Sequence, residues 1–226
     1  MKRNQSGFTL IEIAIVLVII GLLLGGVLKG QELINSAKVK NLATDFKNIP
    51  VFIYGYQDKF KALPGDDAGV VTHVGGTLAT TGGTPGNGVI EGNWNSATIT
   101  EESYLFWEHV RKAGLAPGSI TLGATDYLPT NAAGGTIGIQ SGTNTPAASP
   151  LNGSAGPTNP IRGSYVICSK GILGKFVKQL DTTMDDGNTA TGSMMAALET
   201  TYAIGAVAVP TASIDEALTY TVCMGV

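Results

Sequence analysis

The feature that most limits what this chain can fold into is a long apolar segment close to its N-terminus. Residues 1–7 are polar and include Lys2 and Arg3, whereas residues 8–28 are predominantly apolar. About twenty apolar residues are enough for a helix to cross the hydrocarbon core of a bilayer. Because basic flanks stay in the cytoplasm, the pattern predicts a membrane helix whose C-terminal side is exported.

One carboxylate interrupts the apolar segment. Glu12 follows Gly7 by five positions. A carboxylate inside a membrane costs on the order of a few kcal/mol, so it predicts a functional partner with positive charge. The candidate cations are Lys2 and Arg3, or a new α-amino group if the chain is cut before Phe8. The residues alone leave a second interpretation open, in which Glu12 snorkels at the end of a plain signal anchor.

Residues 7–12 read Gly-Phe-Thr-Leu-Ile-Glu, with basic residues before them and the apolar segment after them. This arrangement closely resembles the class III signal of type IV pilins and type II secretion pseudopilins. The resemblance implies that prepilin peptidase cleaves the chain after Gly7 and methylates the new N-terminal residue, Phe8. It also implies that Glu12 pairs with the N-terminal amine of a neighbouring subunit during assembly.

The hydrophobic pattern and the resemblance divide the chain into four segments. Residues 1–7 form a leader that is removed, residues 8–28 the transmembrane and assembly half of a helix, residues 29–63 its amphipathic half, and residues 64–226 a globular pilin-like domain. Pro50 lies in the amphipathic half and predicts a kink or a local break. The apolar positions of this half alternate spacings of four and three, which places them on one helix face: Leu42, Phe46, Ile49, Ile53, Tyr56 and Phe60.

The globular domain contains signals for two helices and several strands. A helix is predicted from Glu101 to Ala113 with Thr100 as its N-cap, and apolar residues recur at helical spacing between Leu173 and Leu180. The strand candidates are Tyr165–Ser169, Gly192–Leu198, Tyr202–Val209 and Tyr220–Met224. The predicted fold class is α+β: a long N-terminal helical spine, its first half transmembrane, packed on a C-terminal antiparallel sheet domain.

The two cysteines, Cys168 and Cys223, both lie in the C-terminal part of the chain. A pair of cysteines in an exported chain is more often bridged than free, so we expect a disulfide that ties the C-terminus to the domain. The alternative is a pair of buried thiols.

An acidic cluster surrounds Gly187 and consists of Asp181, Asp185, Asp186 and Asn188. Oxygen ligands at a turn suit calcium, and the resemblance adds that some pseudopilins carry a stabilising calcium in a C-terminal loop. The spacing departs from the Asp-x-Asp-x-Asp-Gly pattern with its distal Glu. The residues therefore favour a local Asp-Gly turn after the preceding helix, with calcium as the second interpretation.

Other functional classes find little support. The formal net charge is −3, and no basic run follows Lys2 and Arg3, so a nucleic-acid site is not expected. The two histidines show no metal-ligand spacing, and residues 82–88 are rich in glycine but lack the ending of a phosphate loop. We therefore expect no enzyme and no cofactor beyond the calcium alternative, and we read residues 63–67 and 82–88 as turns.

The sequence thus predicts a structural subunit of a type IV pilus-like filament that serves adhesion, motility or DNA uptake. Its expected partners are copies of itself, other pilin-like subunits, prepilin peptidase and an inner-membrane assembly platform. It would lie in the bacterial inner membrane before assembly and in a periplasmic or cell-surface filament afterwards. The first alternative is a type II secretion pseudopilin. The second is a membrane-anchored periplasmic binding domain, which predicts an uncut Met1 and a dispensable Glu12.

Overall fold

The computed structural model of the protein describes residues 9–154, 156 and 158–226. Gly7 and Phe8, the residues of the predicted cleavage site, lie outside this described part. The predicted fold class is confirmed: the protein has a long N-terminal apolar helix, a C-terminal antiparallel sheet and a disulfide near the C-terminus.

Helix α1, Leu10–Phe60, is 51 residues long and contributes to both compact units of the chain, residues 1–38 and residues 39–226. No described residue of the first unit is buried. In the second unit α1 buries one face, as its apolar spacing predicts, although Phe60 is only partly covered. The buried residues of this face are Val39, Leu42, Ala43, Phe46, Ile49, Ile53 and Tyr56.

The local break that Pro50 predicts does not form, because α1 continues through it to Phe60. A proline inside a helix costs about 3 kcal/mol, whereas each buried large apolar side chain stabilises by about 1.5–3 kcal/mol. Phe46 and Ile53 are both buried on either side of the proline, and their packing offsets its cost. The helix ends where Lys61 adopts a left-handed backbone conformation with φ of 56°, before the predicted end at residue 63.

The main sheet has four antiparallel strands in the order β1-β3-β6-β4. Its strands are β1, Ile137–Ser141; β3, Tyr165–Leu173; β4, Met194–Leu198; and β6, Thr219–Gly225. Two-residue strands β2, Leu151–Asn152, and β5, Ala206–Val207, pair in parallel beside it. The predicted strands of β3, β4 and β6 are confirmed. Strand β1 was not predicted, and only Ala206–Val207 of the predicted strand 202–209 pairs with another strand.

Both faces of the sheet are buried, and each strand contributes to both, because alternate residues of a strand point to opposite sides. On one face, Ile167 and Val222 join a core that also contains Phe46 and Ile53 of α1. On the other face, Cys168 and Cys223 join a smaller core with Trp94. The sheet is therefore the middle layer of the second unit, with α1 on one side and loop segments on the other.

Cys168 and Cys223 form a disulfide between the two central strands. They are register partners in the antiparallel pair of β3 and β6, and both are fully buried. The predicted bridge is confirmed, and it joins residues separated by 55 positions.

The described residues of the second unit also form three shorter α-helices: α2, Val70–His73; α3, Glu102–Lys112; and α4, Gly174–Met184. Helix α3 confirms the predicted helix, but its N-cap is Glu101 and not Thr100. The carbonyl of Thr100 accepts the amides of residues 80 and 81, which holds it in a strand-like pairing outside the helix.

Candidate functional site

Thr9 and Glu12 form a capping box at the start of α1. The backbone N–H and the hydroxyl of Thr9 each donate to Glu12 Oε2 at 2.7 Å. The backbone N–H of Glu12 points back to Thr9 Oγ1 at 3.3 Å. Since α1 begins at Leu10, Thr9 occupies the N-cap and Glu12 the third helical position, which is the reciprocal arrangement that defines this motif.

The capping box gives Glu12 a local role that the sequence interpretation overlooked. The signal was present, because Thr-x-x-Glu before an apolar run is the sequence pattern of a capping box. In this arrangement the carboxylate is hydrogen-bonded but carries no ion pair among the described residues. The Phe8 amine, its predicted partner, lies outside the described part of the chain.

The helix that follows Glu12 exposes apolar side chains on every side. An 18-residue window of α1 has a mean hydropathy of 2.8, and none of it is buried. Leu22, Leu23 and Leu24 are 73%, 64% and 60% exposed, although consecutive helix residues point in different directions. A helix that is apolar all round belongs in a membrane or in the interior of an assembly. The helix is long and apolar enough to cross a bilayer, which fits membrane anchoring before assembly.

The predicted acidic cluster comes together at the C-terminal end of α4. Single oxygens of Asp181, Asp185 and Asp186 lie within 4.8 Å of one another. Asp185 accepts the Met194 N–H at 2.8 Å. Asp186 accepts the N–H of Asn188 at 2.8 Å.

Asp181 differs from the other members of this cluster. It is 1% exposed, and neither of its carboxylate oxygens accepts a well-formed hydrogen bond. Burial, together with the negative charges of Asp185 and Asp186, raises the pKa of Asp181 to about 7, although the nearby Gly187 N–H opposes the rise. A buried carboxylate without a donor is costly, and a divalent cation coordinated by these oxygens would remove that cost.

Asn188 lies on the same turn but is already engaged. Its side-chain oxygen accepts the Ala190 N–H at 3.3 Å, and its N–H donates to Asp186. The local Asp-Gly turn is thus present, and it satisfies every member of the cluster except Asp181.

Residues 63–67 form a buried polar centre and not a simple turn. The Asp66 carboxylate accepts the N–H groups of Asn87 at 3.1 Å and Gly88 at 2.7 Å, together with that of Gly86. Asp66 is 2% exposed, so these backbone donors supply its stabilisation. The glycine-rich residues 82–88, which the sequence suggested were a flexible turn, thus wrap a buried carboxylate.

The neighbouring Asp67 links three further elements. It accepts the Tyr56 hydroxyl of α1 at 2.7 Å and the Gly69 N–H at 2.7 Å, and it contacts His73 Nδ1 at 2.8 Å. These hydrogen bonds lower the pKa of Asp67, although burial alone would raise it. The site has a structural role, because its polar groups form hydrogen bonds with one another.

Comparison with known proteins identifies the N-terminal segment. The prokaryotic N-terminal methylation motif matches residues 2–28, a span that includes Gly7, Phe8 and Glu12. No curated protein and no solved structure is significantly similar to the chain. The motif implies processing by prepilin peptidase and assembly with other pilin subunits, and the proteins it marks are structural rather than catalytic. Residues 2–28 of this chain therefore carry the signature of type IV pilins and pseudopilins.

Proposed function

We propose that this protein is a structural subunit of a type IV pilus-like filament and performs no catalysis. In this proposal it is cleaved after Gly7, methylated at Phe8 and polymerised from the inner membrane into a periplasmic or cell-surface fibre that serves adhesion, motility or DNA uptake. The observation that carries the proposal is the methylation motif at the start of a helix whose apolar side chains are exposed on all sides.

The exposed apolar helix supports the proposal that the subunit polymerises. Contiguous apolar surface of this extent is stable in lipid, but in water it must be covered by a partner. The equivalent helices of other subunits have the same apolar surface. In a filament they can pack against this helix in place of the lipid. Assembly thus moves the segment from one apolar environment to another without exposing it to water.

Glu12 would direct this step. Among the residues that the structure describes, Thr9 is the one that donates hydrogen bonds to its carboxylate. In a filament the Glu12 carboxylate would lie beside the Phe8 ammonium of a neighbouring subunit, and these two opposite charges would compensate each other in an apolar environment. Removing one partner of a buried ion pair costs about 3–5 kcal/mol, because the other charge stays behind.

Two variants separate the charge of Glu12 from its capping role. Glu12→Gln keeps the capping box, since Gln serves equally at the third helical position, whereas Glu12→Ala removes both the cap and the charge. If the ion pair drives assembly, both variants remain in the membrane but yield at least about 100-fold fewer sheared filaments, the equivalent of about 3 kcal/mol. Glu32→Gln is a matched control, because Glu32 pairs with the exposed Lys29 further along α1. Normal filaments from Glu12→Gln would leave only the helix cap as its role.

Within this class we propose a pilin in preference to a type II secretion pseudopilin. The support is the cysteine bridge, the 226-residue length and the outer loops rich in Thr, Gly and Ser, all of which resemble pilins more closely. The secretion subunit remains the first alternative, and secretion of a cargo protein in a deletion strain distinguishes them.

The second alternative is a membrane-anchored binding domain. It has one feature in its favour, an open groove of about 570 Å³ between loops, in which Arg162 is the only charged residue among the described lining residues. This alternative requires an intact leader and predicts that Glu12 is dispensable.

The decisive experiment is the intact mass and N-terminal fragment of the protein from native membranes or sheared fibres. A terminus at Phe8 with one added methyl group is expected. A terminus at Met1, or one beyond the apolar segment, would overturn the filament proposal and favour the anchored or secreted binding domain.

We also propose that the carboxylates of Asp181, Asp185 and Asp186 bind one calcium ion that stabilises the domain, with Asn188 closing the turn beside it. The support is the convergence of three carboxylates at Asp181, which is buried and accepts no well-formed hydrogen bond from the described residues. Binding at a concentration 100-fold above Kd would stabilise the folded chain by about 2.7 kcal/mol.

Thermal unfolding of the full chain in detergent, after chelation, measures this effect. Calcium should raise Tm in the wild type and in Asp58→Asn, whose carboxylate is exposed, but not in Asp181→Asn. Equal Tm values with and without calcium in the wild type would leave the Asp-Gly turn as the whole explanation of the cluster.

A further inference from the structure

The loop of residues 82–92, called the 82–92 loop below, is attached to α3 through hydrogen bonds of the Glu91 backbone. The Glu91 N–H donates to Glu102 Oε2 at 2.9 Å. The Glu91 carbonyl accepts the Ser103 N–H at 3.0 Å. The same loop supplies the three amides that surround the Asp66 carboxylate. Acidic side chains therefore lie on both sides of the loop where it meets the domain.

Each of the two carboxyl groups at this attachment has one oxygen without a donor. Glu102 is 0% exposed, and its Oε1 has no hydrogen-bond partner. Glu91 Oε1 accepts the Asn87 side-chain amide at 2.8 Å, but Glu91 Oε2 is buried and also has no partner. The two side chains lie within hydrogen-bonding reach of each other. Ionised carboxylates only accept hydrogen bonds, so two of them in contact here would leave both buried oxygens unsatisfied.

The surrounding charges do not supply the missing compensation. Asp66 faces the pair from the 63–67 segment and adds a third negative charge, and Glu101 precedes Glu102 at the start of α3. Among the described residues, no Lys, Arg or His forms an ion pair with Glu91 or Glu102, and Lys112 of α3 pairs with Glu108. Burial, followed by the charges of Asp66 and Glu91, raises the pKa of Glu102 to about 8.

We propose that Glu91 and Glu102 share one proton, which bridges their two carboxyl groups and holds the 82–92 loop on α3. A proton turns one of the two acceptors into a donor and removes one of the two charges, so both unpartnered oxygens are satisfied at once. When the proton leaves, Glu91, Glu102 and Asp66 repel one another, and the loop detaches from the helix. The pair is thus a pH-dependent attachment of an exposed surface loop.

The direction of the pH dependence follows from the two states of Glu102. In the unfolded or detached state Glu102 ionises near the ordinary value of 4.5, whereas in the attached state it keeps its proton up to about pH 8. Between these limits the attached state binds one more proton, so its stability falls as pH rises. The equilibrium constant for detachment rises by as much as tenfold per pH unit in this window and then levels off.

Hydrogen exchange of the 82–92 loop in the full chain, measured in detergent micelles between about pH 6 and pH 9, tests the proposal. After correction for intrinsic exchange rates, the wild-type loop should lose at least about tenfold in protection across this range. In Glu102→Gln the amide can donate to Glu91 without titrating, so its protection should change by less than about twofold. Glu101→Gln, which alters the adjacent carboxylate, is the matched control and should follow the wild type.

Two results would overturn the proposal: pH-independent protection of the wild-type loop, or parallel pH profiles in the wild type and Glu102→Gln. Because each comparison is made at the same pH, titration of Asp181 cancels from the difference. If Glu102→Gln does not fold, Glu91→Gln replaces the other half of the bridge and carries the same expectation. Infrared spectroscopy adds a direct readout, since the protonated-carboxyl band at about pH 6 should be weaker in Glu102→Gln than in the wild type, and the remaining band should come from Asp181.

Discussion

Removing the disulfide between Cys168 and Cys223 should destabilise the second unit substantially. The perturbation is the double variant Cys168→Ala/Cys223→Ala, which avoids leaving a single buried thiol. The bridge closes a loop of 55 residues. For a loop of this length the chain-entropy relation gives a loss of about 14 cal/mol/K in the unfolded state, or about 4 kcal/mol at 25 °C.

This magnitude is large enough to measure as a change in melting temperature. A loss of 1 kcal/mol lowers Tm by about 2–4 °C in a domain of 150–250 residues, so the double variant should melt about 8–16 °C below the oxidised wild type. Trp94 packs in the same small core as both cysteines, so its fluorescence reports on this region directly. The assay is thermal and urea unfolding of the full chain in detergent, followed by tryptophan fluorescence and circular dichroism.

Reduction of the wild type provides the matched control. A thiol reductant should lower the Tm of the wild type toward that of the double variant and should leave the double variant unchanged. A difference below about 1 kcal/mol between oxidised and reduced protein would refute the entropic argument. It would mean that pairing of β3 with β6 persists in the unfolded chain and already restricts it.

The remaining predictions concern single positions in the second unit. Arg111 is 8% exposed and donates to the carbonyls of Pro117, Ser119 and Tyr127 at 3.1, 2.7 and 2.6 Å. Arg111→Met should therefore lower the free energy of unfolding, measured in urea, by about 3 kcal/mol. Arg111→Lys should recover less than half of this loss, because lysine lacks the planar guanidinium group. Gly138→Ala should lower the free energy of unfolding by about 1–3 kcal/mol, since a Cβ there would overlap the Trp94 carbonyl; an unchanged midpoint would show that the backbone can shift.

The long helix and the central strands could be predicted because their signals are local and strong. The apolar spacing from Leu42 to Tyr56 follows the helical period, and the buried face matches it. Strands β3 and β6 each contain a continuous apolar run with a cysteine, and export made the bridge the expected state. In these elements, periodicity, composition and compartment all favour the same structure.

Strand β1 could not be predicted because its sequence reads as a loop. Gly138 lies in a stretch rich in Gly and Thr, which ordinarily marks turns. The structure gives this glycine another purpose: the backbone of Trp94 passes so close to it that no side chain would fit. A close backbone approach is a property of the tertiary structure, so a single sequence contains no sign of it.

The 82–88 segment and the Glu12 region show the same limit at the level of sites. Glycines in residues 82–88 expose backbone amides, but only the folded chain shows that these amides surround Asp66. At Glu12 the cleavage motif was so distinctive that the simpler Thr9 capping box was overlooked, although its pattern was visible. In both places the sequence interpretation did not identify the groups that donate hydrogen bonds to a carboxylate.

The hydrogen-bond partners of the buried carboxylates also indicate which of them should make the stability of the second unit depend on pH or on calcium. Asp66 is satisfied by backbone amides, Asp67 by a tyrosine, a histidine and an amide, and Glu108 by a lysine and a threonine. Backbone amides and hydroxyl groups donate at any pH near neutrality, so their hydrogen bonds contribute stability that does not depend on pH there. Glu102 and Asp181 are as deeply buried, but each retains at least one oxygen without a donor. A proton can complete the Glu102 site, and a proton or a cation can complete the Asp181 site, so pH should act through both groups and calcium through Asp181.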